Sequence, residues 1–129
     1  VTNIEITNNA TSGVVIWEPV FDDDVLIVTG AVTYAAGTVL GRITASGKLT
    51  AYTSGAGDGS QVPIAVLHEE TVFTGAGEIP FRPILGGRVR RADLVAHGVG
   101  ALTQAEVDLL RDYGIVALTT TQLAELDNQ

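Results

Sequence analysis

The chain has 129 residues, 46% of them hydrophobic and 17% charged, with a formal net charge of −8 and a mean hydropathy of +0.31. That apolar content excludes disorder of the whole chain and is enough to fill the core of one domain. The absence of Cys excludes disulfides, zinc–thiolate sites and thiol catalysis, and the acidic balance, with Lys48 the sole lysine, argues against a nucleic-acid partner.

Aromatics are only 5% of the chain, so Val, Ile, Leu and Ala carry the apolar content. With 15 glycines, the mixture suits short strands and many turns. Residues 1–12 are polar and rich in Thr and Asn, with Ile4 and Ile6 as spaced apolar positions, and read as an extended arm. After Gly13, Val14-Val15-Ile16-Trp17 forms a β-prone run that Glu18-Pro19 is expected to end. Phe21 and Asp22-Asp23-Asp24 lead into a strand at 25–28, closed by Gly30, and another at 31–34. The stretches 38–44 and 48–53, joined across Ser46-Gly47, make the best hairpin in the chain. A glycine-rich loop follows at 54–60, then strands at 62–67 and 71–74. The stretch 79–85 carries Pro80 and Pro83 and belongs at a sheet edge. Gly86-Gly87 separates it from a further strand at 88–95.

The last quarter changes character. Thr103 with Glu106 fits a capping box, and Val107, Leu109, Leu110 and Tyr113 give a helical apolar stripe over 104–113. Gly114 and Ile115 match a left-handed helix stop and its apolar follower. A short strand is expected at 115–118 and a helical turn at 121–126. The architecture is therefore mainly β (α+β), a compact barrel- or sandwich-like domain of short strands with one late helix.

Few residues suggest chemistry. No run of about 18 apolar residues exists to cross a membrane, and no signal-peptide pattern is expected. Asp22, Asp23 and Asp24 point to alternate sides of an extended chain and do not converge on a cation. The 54–60 loop lacks the Gly-Lys-Ser/Thr ending of a phosphate loop. His68 and His97 are the only histidines, and no G-x-S-x-G elbow occurs. Lys48 lies in a hairpin, like the lysine of lipoyl carriers, but lacks their bracketing Asp or Met. The one basic cluster is Arg88, Arg90 and Arg91, which reads either as a solvated edge or as an electrostatic contact with a partner or neighbouring subunit. Residues 14–17 read either as a core strand or as an arm that adds a strand to a partner's sheet.

The segment Gly37-Thr-Val-Leu40, then Ser46-Gly-Lys-Leu49 with Tyr52, then Asp58-Gly59 and Pro63-Ile-Ala-Val-Leu67, resembles the bacteriophage lambda-type head decoration protein D family. The likeness continues through Thr74-Gly-Ala-Gly77, the strand at 79–85, Gly87-Arg88-Val89 and Ala92-Asp93-Leu94 to Gly114-Ile115. It implies a β-tulip-type core over 30–116, preceded by an N-terminal arm and lead-in strands at 1–29 and followed by a tail at 117–129. It also implies a structural protein and not an enzyme. Such proteins sit as homotrimers on the outside of the expanded head, at three-fold and quasi-three-fold sites, and hold it against packaged DNA. On that reading Ile4, Ile6, Val14, Val15, Ile16 and Trp17 contact the major capsid protein, and Arg88, Arg90 and Arg91 are subunit or capsid contacts. No cofactor, metal, nucleic acid or membrane is expected, and synthesis in the host bacterial cytoplasm agrees with the absent Cys. The competing reading is a tail-associated or secreted adhesin-like binding module, which the sparse aromatics disfavour.

Overall fold

The computed structural model describes residues 15–119. The chain runs β1 (Val15–Phe21), β2 (Asp24–Val28), β3 (Val32–Tyr34), β4 (Val39–Arg42), β5 (Leu49–Ala51), β6 (Ala65–Val66) and β7 (Thr71–Phe73). Then come β8 (Gly77–Phe81), β9 (Ile84–Arg90), a single 3-10 turn at Arg91–Asp93, β10 (Val95–Ala96), β11 (Gly100–Ala101), α1 (Gln104–Asp112) and β12 (Ile115–Leu118). The fold is mainly β with one late helix, as the patterning predicts.

Eight strands form one curled, half-barrel sheet in the order β1-β9-β6-β4-β5-β2-β8, with β12 parallel to β9. The hairpin expected at 38–53 is present, with Leu40 opposite Ala51 and Arg42 opposite Leu49. Two short pairs, β3 with β7 and β10 with β11, complete the set among the described residues. Strands β1 and β2, which fall in the 1–29 lead-in, are hydrogen-bonded into the main sheet.

The centre of the sheet is buried on both faces. Side chains alternate along a strand, so neighbours in β4 and β6 enter different cores. Val39 and Val66 join Ile84, Leu94, Val107, Leu110 and Ile115 in one cluster. Leu40 and Ala65 join Leu26, Leu49, Leu67 and Phe73 in the other. Twice-buried strands read as continuous apolar runs, which is why 39–40 and 64–67 show no polar alternation.

Helix α1 begins as the capping box demands. Thr103 Oγ1 accepts from Glu106 N at 3.2 Å, and Thr103 N donates to Glu106 Oε1 at 2.9 Å. Gly114 adopts φ +91° after the last turn. The expected apolar stripe is only half used. Val107 and Leu110 are buried, whereas Leu109 and Tyr113 are 39% and 52% exposed. Residues 107 and 110 share one narrow face, which packs into the cluster beside β12.

Several expected boundaries move, and the stretch expected at 79–85 divides, its first part ending β8 at the sheet edge and Ile84 opening the inner strand β9. Pro19 does not end the first strand, because register shifts between Trp17 and Val20 carry it past the ladder and β1 continues to Phe21. Gly86-Gly87 does not separate two strands but lies inside β9. There β1 pairs along one edge and β12 along the other, and Gly87 N donates to Gly114 O at 3.0 Å. Finally, 88–95 is not one strand: β9 stops at Arg90 and the 3-10 turn intervenes before β10. The helical turn expected at 121–126 lies outside the described residues, as do Ile4, Ile6 and Val14.

Candidate functional site

The two ends of the sheet, β1 and β8, have no second strand partner among the described residues. Val15, Ile16 and Trp17 form the first half of β1, with Val15 opposite Val89 and Trp17 opposite Arg88. The candidate arm therefore runs directly into an outer strand with an open edge, the geometry that strand addition requires.

The arginine cluster lies beside that edge but does not behave as one unit. Arg88 is exposed on β9. Arg90 is half-buried, pairs with Asp93 at 3.9 Å, and buries its Nε without a hydrogen-bond partner among the described residues. Arg91 lies beyond the strand, in the 3-10 turn. Its Nη1 donates to Gln104 Oε1 at 2.8 Å, which ties the turn to the start of α1.

The remaining candidates are engaged in the fold. Asp24 takes both Arg42 guanidinium nitrogens, at 3.2 and 2.9 Å, and Asp23 pairs with Arg82 at 3.2 Å. The three aspartates thus diverge. His97 packs edge-on against Tyr34 at 4.8 Å, while His68 packs edge-on against Phe21 at 5.2 Å, so the two histidines share no site. No cluster of three His, Asp or Glu able to hold a metal occurs among the described residues. Lys48 Nζ lies 2.7 Å from Glu78 Oε2.

The glycine-rich loop is a folded strap. Asp58 accepts from the Ser60 hydroxyl at 2.6 Å and from its N–H at 3.0 Å, which holds the Asp58 carboxyl below its ordinary range. Thr44 N donates to Asp58 O and Thr53 N to Ser60 O, so the strap is stitched to the β4–β5 hairpin. Gly59 sits at φ +111°, where a Cβ would fall 2.5 Å from Arg42 O. On the other side of the sheet, Tyr52 Oη donates to Glu106 Oε2 at 2.6 Å. Burial, then the hydrogen bond and charge of Glu106, push the Tyr52 hydroxyl up to about 12. The bond from Tyr52 and that from Thr103 N hold Glu106 below the ordinary carboxylate range.

One feature arises only from the fold. An open groove of about 560 Å³ lies between the end of β1 and β8, with Phe21, Leu67, His68, Ile79 and Phe81 among its walls. His68 Nδ1 is buried and makes no hydrogen bond to the described residues. These positions are scattered from 21 to 81, so no local pattern could announce them.

Among the described residues none of these features assembles a reacting constellation, and their common character is packed surface and open edge. A family model described as Bacteriophage lambda head decoration protein D matches residues 6–115. The chain belongs to that family. A comparison with curated proteins found no match. Membership makes this a phage head decoration protein, a structural component of the virion capsid. The match includes β1, the hairpin, the strap and α1, and it stops at the first residue of β12. No helix among the described residues is long and apolar enough to cross a membrane.

Proposed function

We propose that this decoration protein binds the outer surface of the expanded head as homotrimers at three-fold and quasi-three-fold sites, and stabilises it against the pressure of packaged DNA. Its arm, with Ile4, Ile6 and Val14 to Trp17, adds a strand to the major capsid protein. The observation that carries this reading is the run from arm to open outer strand: Val15 to Trp17 pair with β9 on one side and, among the described residues, with no strand on the other.

Small contacts repeated over a symmetric shell suffice for such a role, because linked sites multiply their effect without new chemistry. A closed trimer uses a head-to-tail contact between two different patches. Arg88, beside the arm on the exposed side of β9, is the arginine best placed for a contact with subunit or capsid. The net charge of −8 keeps decorated particles apart in solution.

The test is binding to expanded heads that lack the protein. The full chain should saturate them, and a chain without residues 1–14, which keeps β1, should bind at least tenfold more weakly while remaining folded. Equal affinity would remove the arm from the interface. Failure of the full chain to bind at physiological salt would overturn the reading.

A further inference from the structure

The groove beside β8 has the composition of a docking surface for a particular kind of partner. Phe21, Ile79 and Phe81 are only partly buried, so its walls expose apolar surface to solvent. Its rim is acidic. Glu69 lines the groove, Asp23 pairs with the lining Arg82, and Glu70 and Asp22 are next to lining residues in the chain; all four carboxylates are exposed. Against them stands one cation, Arg82, already paired with Asp23.

We propose that this groove docks a protein segment carrying an apolar side chain flanked by lysines or arginines. The apolar walls take the anchor, and the carboxylates take the flanking cations. A second copy of this chain is the wrong source of that segment. Its charge is −8, and among the described residues Arg42, Lys48, Arg82 and Arg90 are already ion-paired within the fold. The segment therefore belongs to a different protein. In placing it on the head surface the proposal rests on the head-binding reading, and it adds a contact at the opposite end of β1 from the arm. Seven residues of strand separate the two by about 20 Å.

Two measurements test this. The first titrates isotope-labelled full chain with a synthetic peptide, one phenylalanine between two lysines on each side, and follows the backbone amide resonances. Shifts should centre on His68, Glu69, Thr71 and Phe81 and be lost in Glu69→Lys/Glu70→Lys. Shifts elsewhere, or none, overturn the proposal. The second measures affinity for expanded heads at low and physiological salt. Glu69→Lys/Glu70→Lys should weaken binding roughly tenfold at low salt and flatten the salt dependence. Thr71→Trp, which fills the groove and keeps its charge, should weaken binding at both salts. Asp108→Lys/Asp112→Lys on α1, with the same change in charge, should bind as the natural chain does. Normal head binding by both groove variants overturns the proposal, as does a change in the free protein's sedimentation, which would make the groove a contact between copies. If the unaltered chain fails to bind heads, the head-binding reading falls and the peptide titration still decides the groove.

Discussion

The centre of the sheet and its two outer strands solve opposite problems. Strands β4 and β6 are covered on both faces, with Val39 and Leu40 or Ala65 and Val66 pointing into separate cores. Nothing there is left for a partner to read. Strands β1 and β8 each keep one edge open among the described residues, and each carries a proline. The prolines differ in effect. Pro80 sits on the ladder opposite Val25, in a strand whose five residues all pair in register with β2. Proline is tolerated in a sheet where its nitrogen faces away from the ladder, so Pro80 takes a donor out of the outer edge of β8. Pro19 lies off the ladder in a bulged stretch, and the half of β1 before it has no such block. Stability resides in the centre, and the edges decide what the chain can join.

That division can be attacked from the centre outward. Leu40→Ala removes a fully buried side chain and should cost about 2–5 kcal/mol, read from denaturant unfolding. Gly41→Ala comes next. A Cβ there would lie 2.6 Å from Ser60 O and 2.7 Å from Ser60 Cα, both backbone atoms of the strap. The overlap should cost about 1–3 kcal/mol and loosen the strap, seen as faster amide exchange around 54–60.

Tyr52→Phe is milder, at about 1 kcal/mol for the lost bond to Glu106, and it carries a pH signature. The Tyr52 hydroxyl titrates higher in the folded chain than the unfolded value of 10.0. Its contribution is therefore complete below pH 10 and is lost as pH rises from there to about 12. Glu106 titrates lower in the folded chain, so its contribution is present above the ordinary carboxylate range and is lost as pH falls through the folded value. Stability against pH should fall at both ends. Tyr52→Phe should flatten the alkaline fall and reduce the acid one, and an unchanged curve would show that the pair does not couple β5 to α1.

Much of the centre was legible in the sequence because its signals are local. Ser46-Gly47 marks the hairpin, and Thr103 with Glu106 marks the helix start. The errors came where a distant strand overrode a local signal. Gly86-Gly87 looks like a break until β1 and β12 are seen pairing on either side of it. Leu109 and Tyr113 look like core until α1 is seen to rest on a narrow face. Within the arginine cluster, the ties of Arg90 to Asp93 and of Arg91 to Gln104 emerge only from the folded chain. The groove needed Phe21, His68 and Phe81 to meet, and only the curl of the sheet brings them together.

The smallest change in stability should come from Pro80→Val, and it tests the contrast between the two edges most directly. Valine suits a strand, and Pro80 is exposed, so the folded core should shift by no more than about 0.5 kcal/mol. The substitution returns one backbone N–H to the outer edge of β8, beside the carbonyl row already there. An edge with its full set of donors and acceptors is a template for another strand. Pro80→Val should therefore raise concentration-dependent self-association of the free chain, measured by light scattering at constant salt. Pro80→Lys returns the same N–H together with a charge that discourages pairing, and should stay dispersed. If both variants remain as dispersed as the natural chain, Pro80 is not what closes β8, and the Lys48–Glu78 ion pair at that strand becomes the group to remove next.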